Sequence, residues 1–317
     1  MESDTPADDP LPQPAGAAAG VPTHTVQEEA PPPPSGRPPS PANAGEEKEE
    51  EKKESWWETI RFFLLLFLAA VVIRSLLFAP FSIPSGSMLP NLMIGDYLFI
   101  AKWPYGFSRF SFPFGIASFD GRILAGLPER GDIVVFRHPN TDDDWVKRVV
   151  GLPGDRIEVR GGQVILNGRP VPRQRIADYA MPVTANSPCR GRGAVRQIEG
   201  PDGPVCAFPR FRETLPGGRS YEVLDQVTDG DTDDFAPIVV PEGHLFVMGD
   251  NRDDSADSRV PADPNLPIEE QGVGLLPMEN VLGRATIVFW STDGSSAWLK
   301  PWTWFSAARW DRMGHTW

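Results

Sequence analysis

Cysteine and histidine are scarce in this chain of 317 residues, which contains two cysteines and four histidines. Cys189 and Cys206 form neither a Cys-x-x-Cys motif nor a Cys/His cluster, so we expect no metal site. The histidines are scattered along the chain, which leaves little material for a His-based catalytic triad. Outside the cytoplasm a disulfide is permitted, and we expect Cys189 and Cys206 to form one.

The sequence also lacks a surplus of positive charge and the serine motifs of two enzyme classes. Its formal net charge of −13 argues against a nucleic-acid partner. There is no Gly-x-Ser-x-Gly elbow and no Ser-x-x-Lys motif, which counts against α/β-hydrolase and penicillin-binding mechanisms. No convincing segment of helical periodicity occurs between Leu89 and Ala297, so the major part of the chain is not expected to be helical.

The first 55 residues are rich in proline, alanine and acidic residues and nearly devoid of aromatic ones. Such a segment cannot bury enough apolar surface to offset its ordering entropy, which predicts a disordered tail over residues 1–55. The Glu/Lys run at 46–54 is interpreted as a solubilising spacer, with a docking tail as the alternative.

Residues 56–81 form the one membrane-length apolar segment of the sequence. Trp56 and Trp57 suit a membrane interface, and residues 62–81 are long enough to cross about 30 Å of hydrocarbon. A cleaved secretory signal is the alternative, but 55 residues precede the run and no Ala-x-Ala site follows it. The segment is therefore predicted to be a retained transmembrane anchor.

Lysine and arginine near the anchor predict its orientation. The apolar span at 62–81 is preceded by Lys48, Lys52, Lys53 and Arg61, whereas Lys102 is the first lysine beyond it and Arg74 lies within it. The positive-inside rule then places the N-terminus in the cytoplasm and residues 82–297 on the outer face of the cell (inner) membrane, so the lipid bilayer is an expected partner.

The segment after the anchor is predicted to be mainly β. Short runs rich in aliphatic and aromatic residues, such as 96–101, 132–136 and 285–290, are separated by Gly, Pro, Asn or Asp. Residues 171–242 are more polar, carry both cysteines and are interpreted as an inserted β-rich subdomain. The Trp-rich segment 298–317 is predicted either to lie on the membrane surface or to pack on the sheet as a strap.

Ser87 lies in a short stretch whose backbone is strongly restricted. Pro84 and Pro90 bracket it and hold the residues before them in extended conformations, whereas Gly86 permits a tight turn. A hydroxyl presented on rigid backbone just outside a bilayer is a candidate nucleophile. An ordinary turn after a transmembrane helix is the alternative.

Lys147 is a candidate base for that nucleophile. It lies in a hydrophobic strand where alternation places Trp145 and Lys147 on one face and Val146 and Arg148 on the other. Burial can lower a lysine pKa from about 10.4 by 3–5 units, which would make the amine a usable base near neutral pH. In the alternative interpretation the stem packs while the amine reaches solvent.

Four stretches together resemble the bacterial type I signal peptidases, the membrane-bound leader peptidases. Residues 84–90 are similar to the motif that carries the family's nucleophile, and residues 130–136 to a core strand. Residues 147–155 are similar to the motif that carries its lysine, and residues 249–259 to its last motif along the chain. The four stretches occur in the family's order. The resemblance runs from the anchor to about Trp290. It implies an antiparallel β-sheet catalytic domain over residues 82–297, with 171–242 as the insert.

The resemblance also implies a site of six residues. Ser87 would be the nucleophile and Lys147 the general base, with Ser255 orienting the lysine amine. The Ser87 N–H and the Ser85 hydroxyl would hold the oxyanion. Asp257 and Arg259 would form a structural ion pair beside the site, and no metal or organic cofactor is implied.

The stretch 249–259 is rich in acidic residues. By itself the stretch superficially resembles a calcium loop, with acidic residues at 250, 253, 254 and 257, but the required Gly and terminal Glu are missing. Two residues depart from the family pattern. Asp254 stands where the family usually has Asn, and we expect its charge to raise the pKa of Lys147. Asn91, in the nucleophile region, stands where the family usually has Thr.

The implied substrates are exported preproteins with small residues at −1 and −3. The candidate walls of the small-residue pockets are Ile83, Met88, Trp145 and Val146. An extended peptide could add to the strands before Ser87 and Lys147. The alternative from another class is a catalytically silent, membrane-anchored binding protein. A His-based signal peptidase is disfavoured because Lys147 stands at the position that matches its histidine.

Overall fold

The described part of the protein begins with one long helix, α1 (Asn43–Val72). The computed structural model describes residues 43–112, 118–267, 271–297 and 299–317, with side chains from Trp56 onward. Residues 1–42 of the predicted tail lie outside the described residues, whereas residues 43–55 of that tail belong to α1. Glutamate and lysine favour helix, which explains why the helix extends into the charged run.

The apolar part of this helix, Trp56–Leu77, has 22 residues and is long and apolar enough to cross a membrane. Its large side chains are exposed; Phe62, for example, is 62% accessible. A π-helical turn, Ile73–Leu77, ends the helix, and strand β1 (Phe78–Ser82) begins at once. The helix is thus shorter than the anchor predicted for residues 56–81, because Pro80 and Pro84 favour extended backbone.

The chain beyond the helix is mainly β, which confirms the predicted fold class. After β1 its described residues form sixteen strands and a short helix, α2 (Trp302–Ser306). The strands are β2 (Asp96–Ala101), β3 (Phe107–Ser108), β4 (Arg122–Ile123), β5 (Ile133–Arg137), β6 (Asp144–Gly151), β7 (Arg156–Arg160), β8 (Gln163–Leu166), β9 (Arg169–Pro170), β10 (Arg173–Pro182), β11 (Arg196–Gly200), β12 (Gly203–Thr214), β13 (Ser220–Leu224), β14 (Phe235–Val239), β15 (His244–Met248), β16 (Leu276–Pro277) and β17 (Val281–Ser291).

The largest sheet has seven antiparallel strands in the order β1-β2-β17-β5-β6-β15-β16. Strand β6 lies inside it and is buried from Val146 to Gly151, so both of its faces are covered. Val134 of β5 pairs with Lys147 of β6, and both are buried. This sheet therefore holds a lysine in an apolar interior, while β1 leads directly into the Ser87 turn.

The predicted insert, 171–242, contributes to two sheets. Strands β10 to β13 form a four-stranded antiparallel sheet, in which Cys189 and Cys206 form a disulfide between the β10–β11 connection and β12. Strand β14 instead pairs with β7 in the sheet β14-β7-β8-β9. Residues 60–317 form one compact unit.

The C-terminal segment packs on the large sheet through its backbone and two arginines. The Arg309 N–H donates to the Ser291 carbonyl, and the Gly314 N–H donates to the Val288 carbonyl. Arg312 forms an ion pair with Asp96, which is fully buried. This arrangement matches the strap alternative, while contact of the exposed Trp302 and Phe305 side chains with a membrane stays a prediction.

Candidate active site

The Ser87 side chain lies in a tight turn that follows β1. The Leu89 N–H donates to the Gly86 carbonyl at 3.1 Å, and the Leu92 N–H donates to the Met88 carbonyl at 2.9 Å. A Cβ atom on Gly86 would lie 3.2 Å from a methyl carbon of Leu89, so glycine allows the turn to close tightly. These contacts hold Ser87 on a fixed backbone, as the sequence predicts.

Asn251 fixes the peptide groups on both sides of Ser87. Its backbone N–H donates to the Ser87 carbonyl at 3.0 Å, and its Nδ2 donates to the Gly86 carbonyl at 3.1 Å. Gln226 Nε2 in turn donates to Asn251 Oδ1 at 2.6 Å. Because a trans peptide directs its C=O and N–H to opposite sides, holding the Gly86 carbonyl also orients the Ser87 N–H.

That N–H is available to a ligand, since no described residue accepts a hydrogen bond from it. The Ser85 Oγ lies 3.4 Å from Ser87 Oγ and provides a second donor beside the hydroxyl. Sequence reasoning identified both serines but missed Asn251. The only signal for Asn251 was its place in the motif at 249–259, which does not reveal its contacts.

Lys147 Nζ lies 2.9 Å from Ser87 Oγ. The lysine side chain is buried, and its Nζ is 5.3 Å from the centre of the Trp145 ring. Burial lowers the pKa of Lys147 to about 8, although the carboxylates of Asp257, Asp250 and Asp254 oppose this shift. About one amine in ten is therefore neutral at pH 7, which is enough for a general base.

Asp257 and Arg259 form a buried ion pair beside the dyad, with Arg259 Nη2 2.9 Å from Asp257 Oδ2. The same carboxylate oxygen accepts the Gly249 N–H at 2.9 Å. Burial alone would raise the pKa of Asp257, but the Arg259 guanidinium and the Gly249 and Arg259 N–H groups hold it below its ordinary value. The pair therefore stays ionised and anchors the loop that follows β15.

Ser255 departs from its implied role in one respect. Its Oγ is buried and has no hydrogen-bond partner in the described part of the chain, so the expected hydrogen bond to Lys147 is not formed here. A Cβ atom on Gly249 would lie 2.2 Å from Ser255 Oγ and 2.6 Å from the Ser87 carbonyl oxygen. The hydroxyl thus packs against Gly249 and the nucleophile turn, and its role toward the lysine stays a prediction.

A cavity of about 450 Å³ opens beside the dyad. Eleven residues line it: Phe81, Pro84, Ser85, Ser87, Asp143, Asp144, Trp145, Val146, Lys147, Asp254 and Ala256. Trp145 and Val146 are thus at the surface of the cavity, as expected of pocket walls. Ile83 and Met88 instead lie in a hydrophobic cluster that also contains Val146, because both point into the core.

The acidic residues of the 249–259 loop point in different directions. Asp250 forms a buried ion pair with Arg148, and Asp257 pairs with Arg259. Asp254 lines the cavity, where burial raises its pKa while Arg192 and Lys147 oppose the rise. The calcium-loop interpretation of this stretch alone therefore fails, because its carboxylates do not converge on one point.

Known proteins are similar to most of this chain. A family model described as "Signal peptidase, peptidase S26" matches residues 56–290. The signal peptidase I of Rickettsia typhi is 35% identical over 231 residues, which cover 70% of this chain and 75% of that protein. That of Rickettsia akari is 36% identical over 234 residues with the same coverage. A crystal structure of a signal peptidase I from Enterococcus faecalis is similar with a TM-score of 0.26 and 22% identity, covering 51% of this chain and 98% of that one. Since the family model spans most of the chain, the chain belongs to the signal peptidase family, peptidase S26.

Proposed function

We propose that the protein is a membrane-anchored serine endopeptidase that removes N-terminal signal peptides from exported preproteins after small residues at −1 and −3. Family membership supports peptidase activity on signal peptides. The 2.9 Å contact between Lys147 Nζ and Ser87 Oγ supports a Ser/Lys dyad and is the observation on which the proposal mainly rests.

The dyad acts through a neutral amine. Lys147 Nζ takes the proton of the Ser87 hydroxyl while Oγ attacks the carbonyl carbon of the scissile peptide bond. The Ser87 N–H and the Ser85 hydroxyl donate to the resulting oxyanion. The Lys147 ammonium then gives its proton to the departing amine, which leaves an acyl-enzyme ester on Ser87. Lys147 finally activates a water molecule that hydrolyses this ester.

The cavity fits an extended segment with small side chains. Its floor lies between the Ser87 turn and the start of β6, where Trp145 and Val146 approach the dyad. An extended peptide could add to these strands by backbone hydrogen bonds. The mechanism requires no metal or organic cofactor.

In this proposal the site lies at the outer face of the membrane. The Trp56–Leu77 helix supplies the span, and the lysines before it favour a cytoplasmic N-terminus. Only two residues separate the helix end at Leu77 from Pro80 in the middle of β1, so the sheet begins close to the bilayer surface. Emerging preproteins would then reach the dyad without leaving the membrane.

Cleavage of a model preprotein by the purified full-length protein tests the proposal. Ser87→Ala and Lys147→Ala should abolish processing, whereas the exposed Ser118→Ala and Lys300→Ala variants should retain it. A thermal melt of each variant shows whether the fold is intact. Wild-type rates in folded Ser87→Ala or Lys147→Ala would refute the dyad, and an inactive wild type would favour the silent binding protein instead.

A further inference from the structure

Three carboxylates converge away from the dyad, at a place that the proposed reaction does not use. Asp225 follows β13, Asp233 precedes β14, and Asp253 belongs to the loop after β15. One oxygen from each lies within 4.8 Å of one from each of the others. Two of the three come from the insert, so no local sequence motif brings them together.

Each carboxylate is held in place by a donor. Asp233 Oδ2 accepts the Gly230 N–H at 2.7 Å, and Asp253 Oδ2 accepts the backbone N–H groups of residues 226 and 227. Asp225 forms an ion pair with Arg173. The group is therefore preorganised rather than a set of mobile surface side chains.

The other oxygen of Asp233 has no such donor. Asp233 is only 2% exposed, and its Oδ1 is buried without a hydrogen-bond partner in the part of the chain that the structure describes. An unsatisfied buried carboxylate oxygen is costly unless a proton donor or a cation meets it. This orphaned oxygen is the observation that indicates a ligand.

Two glycines leave room around these oxygens. A Cβ atom on Gly162 would lie 3.4 Å from Asp233 Oδ1 and 2.9 Å from Asp225 Oδ2. A Cβ atom on Gly230 would lie 2.9 Å from Asp253 Oδ1. Side chains at these two positions would crowd the carboxylate oxygens, whereas glycine leaves space beside them.

The local charge is strongly negative. The three carboxylates face one arginine, Arg173, while the nearby Arg259 is already paired with Asp257. Three carboxylates facing one guanidinium leave a net negative charge, which favours a bound cation.

We propose that Asp225, Asp233 and Asp253 form a binding site for a calcium ion. The candidate metal ligands among the described residues are all carboxylates here, which suits a hard divalent cation and disfavours zinc or copper. Calcium tolerates irregular geometry and completes its shell with water, whereas magnesium demands a near-ideal octahedron. The outer face of a membrane, where the proposed function places this domain, exposes the site to calcium.

Bound calcium would connect the insert to the loop that supports the dyad. Asp253 immediately precedes Asp254 in the cavity wall and lies two residues before Ser255. The ion would tie this loop to the segments that carry Asp225 and Asp233. Its main effect is therefore expected on stability, which can be measured whether or not the proposed peptidase activity exists.

Calcium titration of the full-length protein, purified in detergent and treated with chelator, tests this site. Isothermal titration should give one ion per chain. The melting temperature should rise by about 5–10 °C when free calcium exceeds the dissociation constant a hundredfold. Magnesium at the same concentration should produce a smaller rise.

Asp233→Asn is the decisive variant because it keeps the shape of the side chain and removes its charge. Its calcium affinity should fall at least tenfold, while its melting temperature in chelator should equal or exceed that of the wild type. Asp202→Asn, which alters an exposed carboxylate in the insert, should respond to calcium like the wild type. If Asp233→Asn does not fold, Asp253→Asn provides the same comparison.

A wild type whose melting temperature and titration heats do not respond to calcium would overturn the site. An undiminished calcium response in Asp233→Asn would do the same, because binding would then involve other residues. Failure of the cleavage assay described above would affect neither result.

Discussion

Lys147 Nζ and Ser87 Oγ lie 2.9 Å apart, although 60 positions separate the two residues in the chain. The large sheet brings them together, since β1 leads into the Ser87 turn and β6 carries the lysine. Both side chains are buried. Burial disfavours the charged ammonium form of Lys147, and the neutral amine that it favours can accept the proton of Ser87.

The pKa of Lys147 predicts how activity depends on pH. The base must be neutral, so kcat/KM should rise with pH through a midpoint at about 8 and reach a plateau above it. Two pH units below the midpoint the rate should be about a hundredfold below the plateau. Initial rates on a peptide substrate from pH 5.5 to 10 measure this. A midpoint near 10 would indicate an unshifted lysine.

Asp254→Asn should move that midpoint to lower pH. The Asp254 carboxylate stabilises the ammonium form of Lys147, so removing its charge should lower the lysine pKa. The plateau rate should change little. Asp311→Asn, at an exposed position, serves as the matched control. An unchanged midpoint in Asp254→Asn would remove this electrostatic role.

Gly249→Ala should inactivate the enzyme without unfolding it. The new methyl would lie 2.2 Å from Ser255 Oγ and 2.6 Å from the Ser87 carbonyl oxygen, so the nucleophile turn must shift. A displacement of about 1 Å at a reacting group can cost a hundredfold in rate. Gly168→Ala controls for general loss of stability, because alanine is strained at the φ of +77° there while the added methyl meets nothing beyond its chain neighbours within 4 Å. Near-normal turnover in Gly249→Ala would contradict this expectation.

Asn251→Ala should lower kcat and leave KM nearly unchanged. Asn251 acts as a positioning residue, because its side chain holds the Gly86 carbonyl and thereby aims the Ser87 N–H at the oxyanion. Weakening one oxyanion donor without removing it should cost about 10- to 100-fold in kcat. Steady-state kinetics separate the two constants, with the exposed Asn265→Ala as control. A change in KM alone would assign Asn251 to substrate binding.

Much of the fold and the centre of the site could be predicted from local patterns. The apolar anchor, the strand-and-turn alternation and the restricted backbone around Ser87 are each visible within about twenty residues. The position of Lys147 in an apolar strand was visible as well. These features depend on short-range periodicity and on proline and glycine, which act locally.

The remaining features depend on contacts between distant segments. The contact of Asn251 with the Ser87 turn, the burial of Ile83 and Met88 away from the cavity, and the absent Ser255 hydrogen bond all arise from packing between separate strands. The end of the helix at Leu77 was missed because apolar residues continue through Phe81 into a strand.

The pairing of Arg312 with the buried Asp96 has a consequence for biosynthesis. A fully buried carboxylate without its partner destabilises a fold by about 3–5 kcal/mol, and this guanidinium is supplied more than 200 positions later in the chain. Strand β2, which lies between β1 and β17 in the large sheet, therefore reaches its full stability only after the ribosome has delivered Arg312. Nascent chains halted before that point should be more sensitive to proteolysis than finished ones.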